Sequence, residues 1–182
     1  MSGRSLRASI NQMEVGTLQE VAGLWSFQYG AGWLGNPRGF ALSPHLPLTA
    51  ESLLDGASKR PVQWYFDNLL PEEGQRILLA GDAKLDAADA FGLLAWYGAE
   101  SAGSVTLLPP EAAPQLAEPL RPLPDDALQA RIRQLPKAPL THAAIKRMSL
   151  AGAQHKLAVV LQDDALFEPA GATPSTHILK PD

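Results

Sequence analysis

Half of the 16 prolines fall at positions 109, 110, 114, 119, 122, 124, 136 and 139 of this 182-residue chain. Each fixes φ, removes an N–H donor and pushes the preceding residue out of the helical region. No long helix or continuous sheet can pass through such a stretch, so the chain must fold as pieces on either side of it. The spacing predicts a first unit over 1–108, a proline-rich linker with a helix over 109–139, and a second unit over 140–182, with 109–124 the most linker-like part. The 16 prolines and 15 glycines together stay below the share of roughly a quarter that marks low complexity. With 46% hydrophobic residues the pieces can bury cores.

Leu6–Ile10 and Met13–Leu18 are apolar-rich runs around Asn11-Gln12, and Leu24–Tyr29 alternates apolar with polar residues, so three strands are predicted. Helices are predicted over Val62–Leu70 behind Pro61, over Glu72–Ala80, and over Ala87–Tyr97 with Asp86 as cap and Gly98 at the C-terminal end. Ser104–Leu108 reads as a closing strand. Strands, then helices, then a strand give an α+β fold with an antiparallel sheet.

Beyond the linker, Asp125 or Asp126 caps a helix through Gln134, and Thr141 a short one through Arg147. Leu157–Leu161, Ala165–Phe167 and Thr176–Leu179 read as strands of a meander, with a turn at Gln162-Asp163-Asp164 and a Gly/Pro loop over 169–174. The last strand ends at Lys180, two residues before the final Asp182, which suggests that more chain belongs to the unit.

The absence of cysteine excludes disulfides, thiolate metal sites and cysteine nucleophiles. The N-terminus MSGRSLRASINQMEVG has no signal-peptide core, and no run of about 18 apolar residues suits a membrane span, so a soluble, cytoplasmic protein with no membrane partner is expected. A formal net charge of −4 argues against nonspecific nucleic-acid binding by the whole surface. One region departs from that average. Between Ala127 and Gln162 there is no Asp or Glu, while Arg131, Arg133, Lys137, Lys146, Arg147 and Lys156 supply six cations.

Within this basic region, Ser149-Leu150-Ala151-Gly152-Ala153-Gln154-His155-Lys156 leads into the strand from Leu157. Small side chains let backbone N–H groups approach an anion, and flanking ammonium groups neutralise phosphate charge. A solvated basic turn is the plainer reading. Neither G-x-x-x-x-G-K-[ST] nor a kinase G-x-G-x-x-G is present. Lys180, at the end of the third strand after the loop, stands where a kinase carries its phosphate-pairing lysine, and the combination puts nucleotide binding level with the solvated turn.

Competing sites are weaker. Ala99-Glu100-Ser101-Ala102-Gly103 approaches a nucleophile elbow, but a predicted helix precedes it and a strand follows, the reverse of what the elbow needs. His45, His142, His155 and His177 have no metal-ligand spacing, so no metal site is expected. Trp64-Tyr65-Phe66 and Phe91 with Trp96-Tyr97 read as packing, and Asp67-Asn68 as a hydrogen-bonded helix end.

Four stretches in order resemble the HipA toxin kinases of bacterial toxin–antitoxin pairs: Trp64–Glu72 (WYFDNLLPE), Ser101–Pro109 (SAGSVTLLP), Ser149–Gln154 (SLAGAQ) with Lys156, and Gly171–Pro181 (GATPSTHILKP). The similarity covers nearly the whole chain but only the N-terminal part of the family's length. The resemblance implies a serine/threonine protein kinase whose N-lobe carries an extra α+β subdomain. By motif match Ser149 is the autophosphorylated serine, Leu150, Ala151, Gly152, Ala153, Gln154, His155 and Lys156 form the ATP-covering loop, and Lys180 contacts ATP phosphates. The implied cofactors are ATP and Mg²⁺. The implied partners are a HipB-like helix-turn-helix antitoxin, through which alone operator DNA is reached, and a protein substrate of the aminoacyl-tRNA synthetase class.

His155 replaces a common Glu of the family, and Ala99-Glu100 an Arg-Asp pair. The 182 residues contain no catalytic-loop aspartate motif and no D-F-G-like Mg²⁺ motif, so this stretch alone is expected to be inactive as a kinase. The alternative is a non-catalytic regulatory or antitoxin-like binding module.

Overall fold

Two-residue turns organise the first sheet. The structure is a computed structural model and describes residues 3–100, 104–113, 119–134, 156–170 and 173–181. Asn11-Gln12 joins β1 (Arg4–Ile10) to β2 (Met13–Val21), and Ala22-Gly23 joins β2 to β3 (Leu24–Tyr29). All four turn residues have positive φ, between 49 and 77°. Consecutive left-handed residues match the twist of the strands they connect.

Alternation then decides which face is buried. Leu6, Leu18 and Phe27 lie side by side across β1, β2 and β3, each no more than 1% exposed. Gly16 sits where no side chain fits, because a Cβ there would lie 2.2 Å from the Gln28 carbonyl oxygen. Two short strands not anticipated in their pairing complete the sheet: β4 (Leu53–Leu54) beside β3 and β5 (Val105–Leu108) beside β1, in the order β4-β3-β2-β1-β5.

Four helices contribute to the core of this sheet: α1 (Ala31–Leu34), α2 (Pro61–Asp67), α3 (Glu73–Ala83) and α4 (Ala90–Tyr97). Pro61 opens α2 as expected, and the buried Asp55 carboxylate accepts from the Val62 and Gln63 amides at 2.8 and 2.9 Å. Two charge-assisted bonds satisfy donors that the first turn leaves without helical partners.

The cap of α4 differs from expectation. Asp89 accepts from Gly92 N at 3.0 Å, whereas Asp86 folds the preceding turn by accepting from Ala88 N at 2.8 Å, so the helix starts three residues later than predicted. Arg4 ties this start to the sheet through Asp89 and Glu20, both at 2.7 Å. Tyr97 closes the other end, its hydroxyl lying 3.0 Å from both the Leu79 carbonyl oxygen and the Asp82 carboxylate. Burial, reinforced by Asp82, raises the phenol well above its ordinary pKa and keeps it neutral.

The second sheet holds β6 (Arg121–Pro122), β7 (Leu157–Gln162), β8 (Ala165–Glu168) and β9 (His177–Leu179), in the order β6-β8-β7-β9. This is not the expected meander. Arg121–Pro122 occupies the outer edge of β8, so β9 pairs with the opposite edge of β7. The β7–β8 turn is another two-residue hairpin, with Asp163 and Asp164 at φ 49° and 59°. Helix α5 (Asp125–Gln134) packs Ala127, Leu128 and Ile132 against a small core of Leu123, Leu157 and Val159. The expected Thr141–Arg147 helix lies outside the described residues.

Candidate functional site

Strand β7 is central to the second sheet because both of its edges are paired. Its register with β9 is Leu157↔Leu179, Ala158↔Ile178 and Val159↔His177, antiparallel. One step further along this register, Lys156 stands opposite Lys180. Two lysines far apart in sequence are thus brought to one end of one sheet.

The face they belong to follows from alternation. Leu157, Val159 and Leu179 belong to the core beneath α5, so Lys156, Ala158, Ile178 and Lys180 alternate toward the other face. There Ile178 is 52% exposed, and Lys180 is also exposed. An aliphatic strip ending in two ammonium groups suits a ligand with a flat apolar part and a polyanionic end. Neither group alone makes that case: a single strand-end lysine is an ordinary surface residue.

An ion pair ties α5 to β8. Arg131 forms an ion pair with Glu168 of β8, and Arg133 bonds to Gln129 at 3.3 Å. Glu168, outside the acid-free run, pairs with Arg131 and so lowers the net positive charge that the run of six cations presents. Lys137, Lys146 and Arg147 lie outside the described residues, as do Ser149, Leu150, Ala151, Gly152, Ala153, Gln154 and His155 of the expected loop. Of the predicted site residues, Lys156 and Lys180 are therefore the two whose placement is described.

Thr176, expected as the first residue of the last strand, stands just before β9. Its Oγ1 accepts from Leu161 N at 2.8 Å and lies 2.8 Å from His177 Nδ1, and its own N–H donates to the Val159 carbonyl at 3.0 Å. A Thr directly before a short β-prone run was the available signal.

The competing sites fare as follows. Ser101 to Gly103 lie outside the described residues, but α4 precedes them and β5 follows, which is the order that disfavours a nucleophile elbow. Among the described residues no group of three or more His, Asp or Glu side chains is placed to hold a metal ion. No helix among them is long and apolar enough to cross a membrane. Phe66, Phe91 and Tyr97 are buried, with Phe91 edge-on to Trp25 at 5.1 Å. Trp64 and Trp96 depart from the packing expectation, at 55% and 48% exposed. Asp67 ends α2 and pairs with Arg76 at 2.7 Å, the helix-end role expected of it.

Known proteins resemble this chain along nearly its full length. The family model of the HipA N-terminal domain matches residues 6–108. The kinase candidate Y4mE of Sinorhizobium fredii is 39% identical over 169 residues, covering 90% of this chain and 39% of that protein. The serine/threonine-protein kinase toxin HipA of Shewanella oneidensis is 27% identical over 180 residues, covering 97% of this chain and 40% of the toxin. Among solved structures, the Shewanella oneidensis complex of HipA, HipB and operator DNA contains a chain that superimposes with a TM-score of 0.69 at 26% identity, over 95% of this chain and 39% of that one. This chain spans about two fifths of the length of these relatives.

Proposed function

Given that this chain belongs to the HipA N-terminal domain family, we propose that it is the amino-terminal portion of a HipA-like serine/threonine protein kinase, the toxin of a bacterial toxin–antitoxin pair. In that kinase the second sheet carries ATP. The observation that supports this reading best is the register that sets Lys156 opposite Lys180 beside Ala158 and Ile178. The two ammonium groups attract polyphosphate, and the aliphatic strip takes the base. Loop residues Leu150 to His155 close over the nucleotide, and Ser149 is the residue the kinase phosphorylates on itself.

ATP supplies the transferable phosphoryl group, and these residues bind and orient it. The 182 residues carry no catalytic-loop aspartate and no D-F-G-like motif, so Mg²⁺ and the catalytic base would be held elsewhere in the proposed kinase, and this polypeptide is expected to bind nucleotide without transferring phosphate. A HipB-like antitoxin is the proposed partner, on the strength of the complex in which the structural relative was solved. The substrate is a protein serine or threonine.

The test is a titration of the chain with ATP followed by amide NMR shifts. The expected result is saturable change at Lys156, Ala158, Ile178 and Lys180, with no labelled phosphate incorporated into protein. Shifts confined to the first sheet, or none at all, would reject the reading.

A further inference from the structure

We infer that Thr176, together with His177, is a positioning residue that locks the register of β9 and thereby sets the face on which Lys180 stands. The functional half of this inference rests on the nucleotide reading of Lys180.

The need for a lock comes from the sequence of β9. It pairs with β7 over three residues only, His177, Ile178 and Leu179. In most strands a slip of one residue exchanges apolar for polar side chains and is strongly opposed. Here the slip would exchange Ile178 for Leu179, two aliphatic residues of similar size, so that pair discriminates weakly and burial opposes the slip only through Lys180 at the end of the ladder. Yet the same slip would carry Lys180 from the outer face to the side of Leu157 and Val159.

Thr176 supplies the missing discrimination just outside the ladder. Its N–H donates to the Val159 carbonyl at 3.0 Å while its Oγ1 accepts from Leu161 N at 2.8 Å, so one residue grips β7 at two points. The same hydroxyl lies 2.8 Å from His177 Nδ1, a second polar contact that holds its oxygen in place. A one-residue slip breaks these bonds together. Valine has nearly the shape of threonine but neither bond of the hydroxyl, whereas serine retains both.

The chain has no cysteine, so introduced pairs report register without interference. Ala158 and Ile178 are directly opposed, with Cβ atoms of such pairs about 4.5–5.5 Å apart, near disulfide range. In the Ala158→Cys/Ile178→Cys chain, mild oxidation is expected to give a high crosslinked fraction, kept by Thr176→Ser. Adding Thr176→Val is expected to lower that fraction about threefold and to raise crosslinking in Ala158→Cys/Leu179→Cys. In the cysteine-free chain, Thr176→Val is expected to weaken ATP binding about tenfold, with no further loss on adding Lys180→Ala, and Thr176→Ser to restore it. Crosslinking unchanged by Thr176→Val would overturn the lock, whatever the nucleotide does. A shifted crosslink with unchanged ATP affinity would leave the lock standing and overturn the role given to Lys180.

Discussion

Ser149→Ala in the longer kinase is expected to abolish self-phosphorylation while transfer to the protein substrate continues. The argument is electrostatic. On the proposed nucleotide reading, a phosphoserine would add roughly −1.5 to −2 charges close in sequence to Lys146, Arg147 and Lys156 and would compete with ATP phosphates for charge-assisted bonds to such cations. Modification is therefore expected to weaken ATP binding, and Ser149→Asp, a weaker mimic, to reduce affinity only partly. Phosphopeptide mapping checks the assignment. Phosphate on Ser101 or Ser175, or undiminished self-phosphorylation of the alanine variant, would count against it.

The second large effect concerns stability. Phe27 on β3 is fully buried against the helices of the first sheet, 5.0 Å from the Tyr29 ring and 5.3 Å from that of Phe66, which joins strand to helix. Truncation to alanine removes the ring and leaves a cavity that flanking strands cannot close. Phe27→Ala is expected to cost about 3–5 kcal/mol, a large share of the roughly 5–15 kcal/mol that holds a typical domain folded. Urea titration of the chain would read this as a lower midpoint, and a loss under about 1 kcal/mol would contradict the placement of the core.

The sequence exposed what is local. Apolar-rich runs marked β1 and β2, alternation marked β3, and the dipeptide between the first two runs marked the Asn11-Gln12 turn, because these signals depend on neighbours along the chain. Pro61 likewise announced α2. Where the reading failed, a distant residue decided the outcome. Arg121–Pro122 looked like linker because proline weakens a strand, yet an edge strand tolerates it, and its pairing with β8 redirected β9 to β7. Glu168 lies 37 positions from Arg131, so the basic stretch looked more uniformly cationic than it is. Asp86, the expected cap of α4, is engaged by the turn it folds at Ala88, and Asp89 caps the helix instead.

The candidate site divides in the same way. Lys156 and Lys180 were identified from motif and strand order, but their juxtaposition needed the β7–β9 register, which no local pattern fixes. The bonds of Thr176 were overlooked for a related reason: they reach Val159 and Leu161, across the sheet from its own strand.

The claim that this sheet carries ATP is tested most directly by the equilibrium affinity of the longer kinase for ATP, measured for Lys180→Ala beside the exposed control Lys59→Ala. A charge-assisted bond to phosphate contributes about 1.5–3 kcal/mol, so Lys180→Ala is expected to weaken binding about 10- to 100-fold while Lys59→Ala leaves it unchanged. Equal affinities for the two variants would contradict the account.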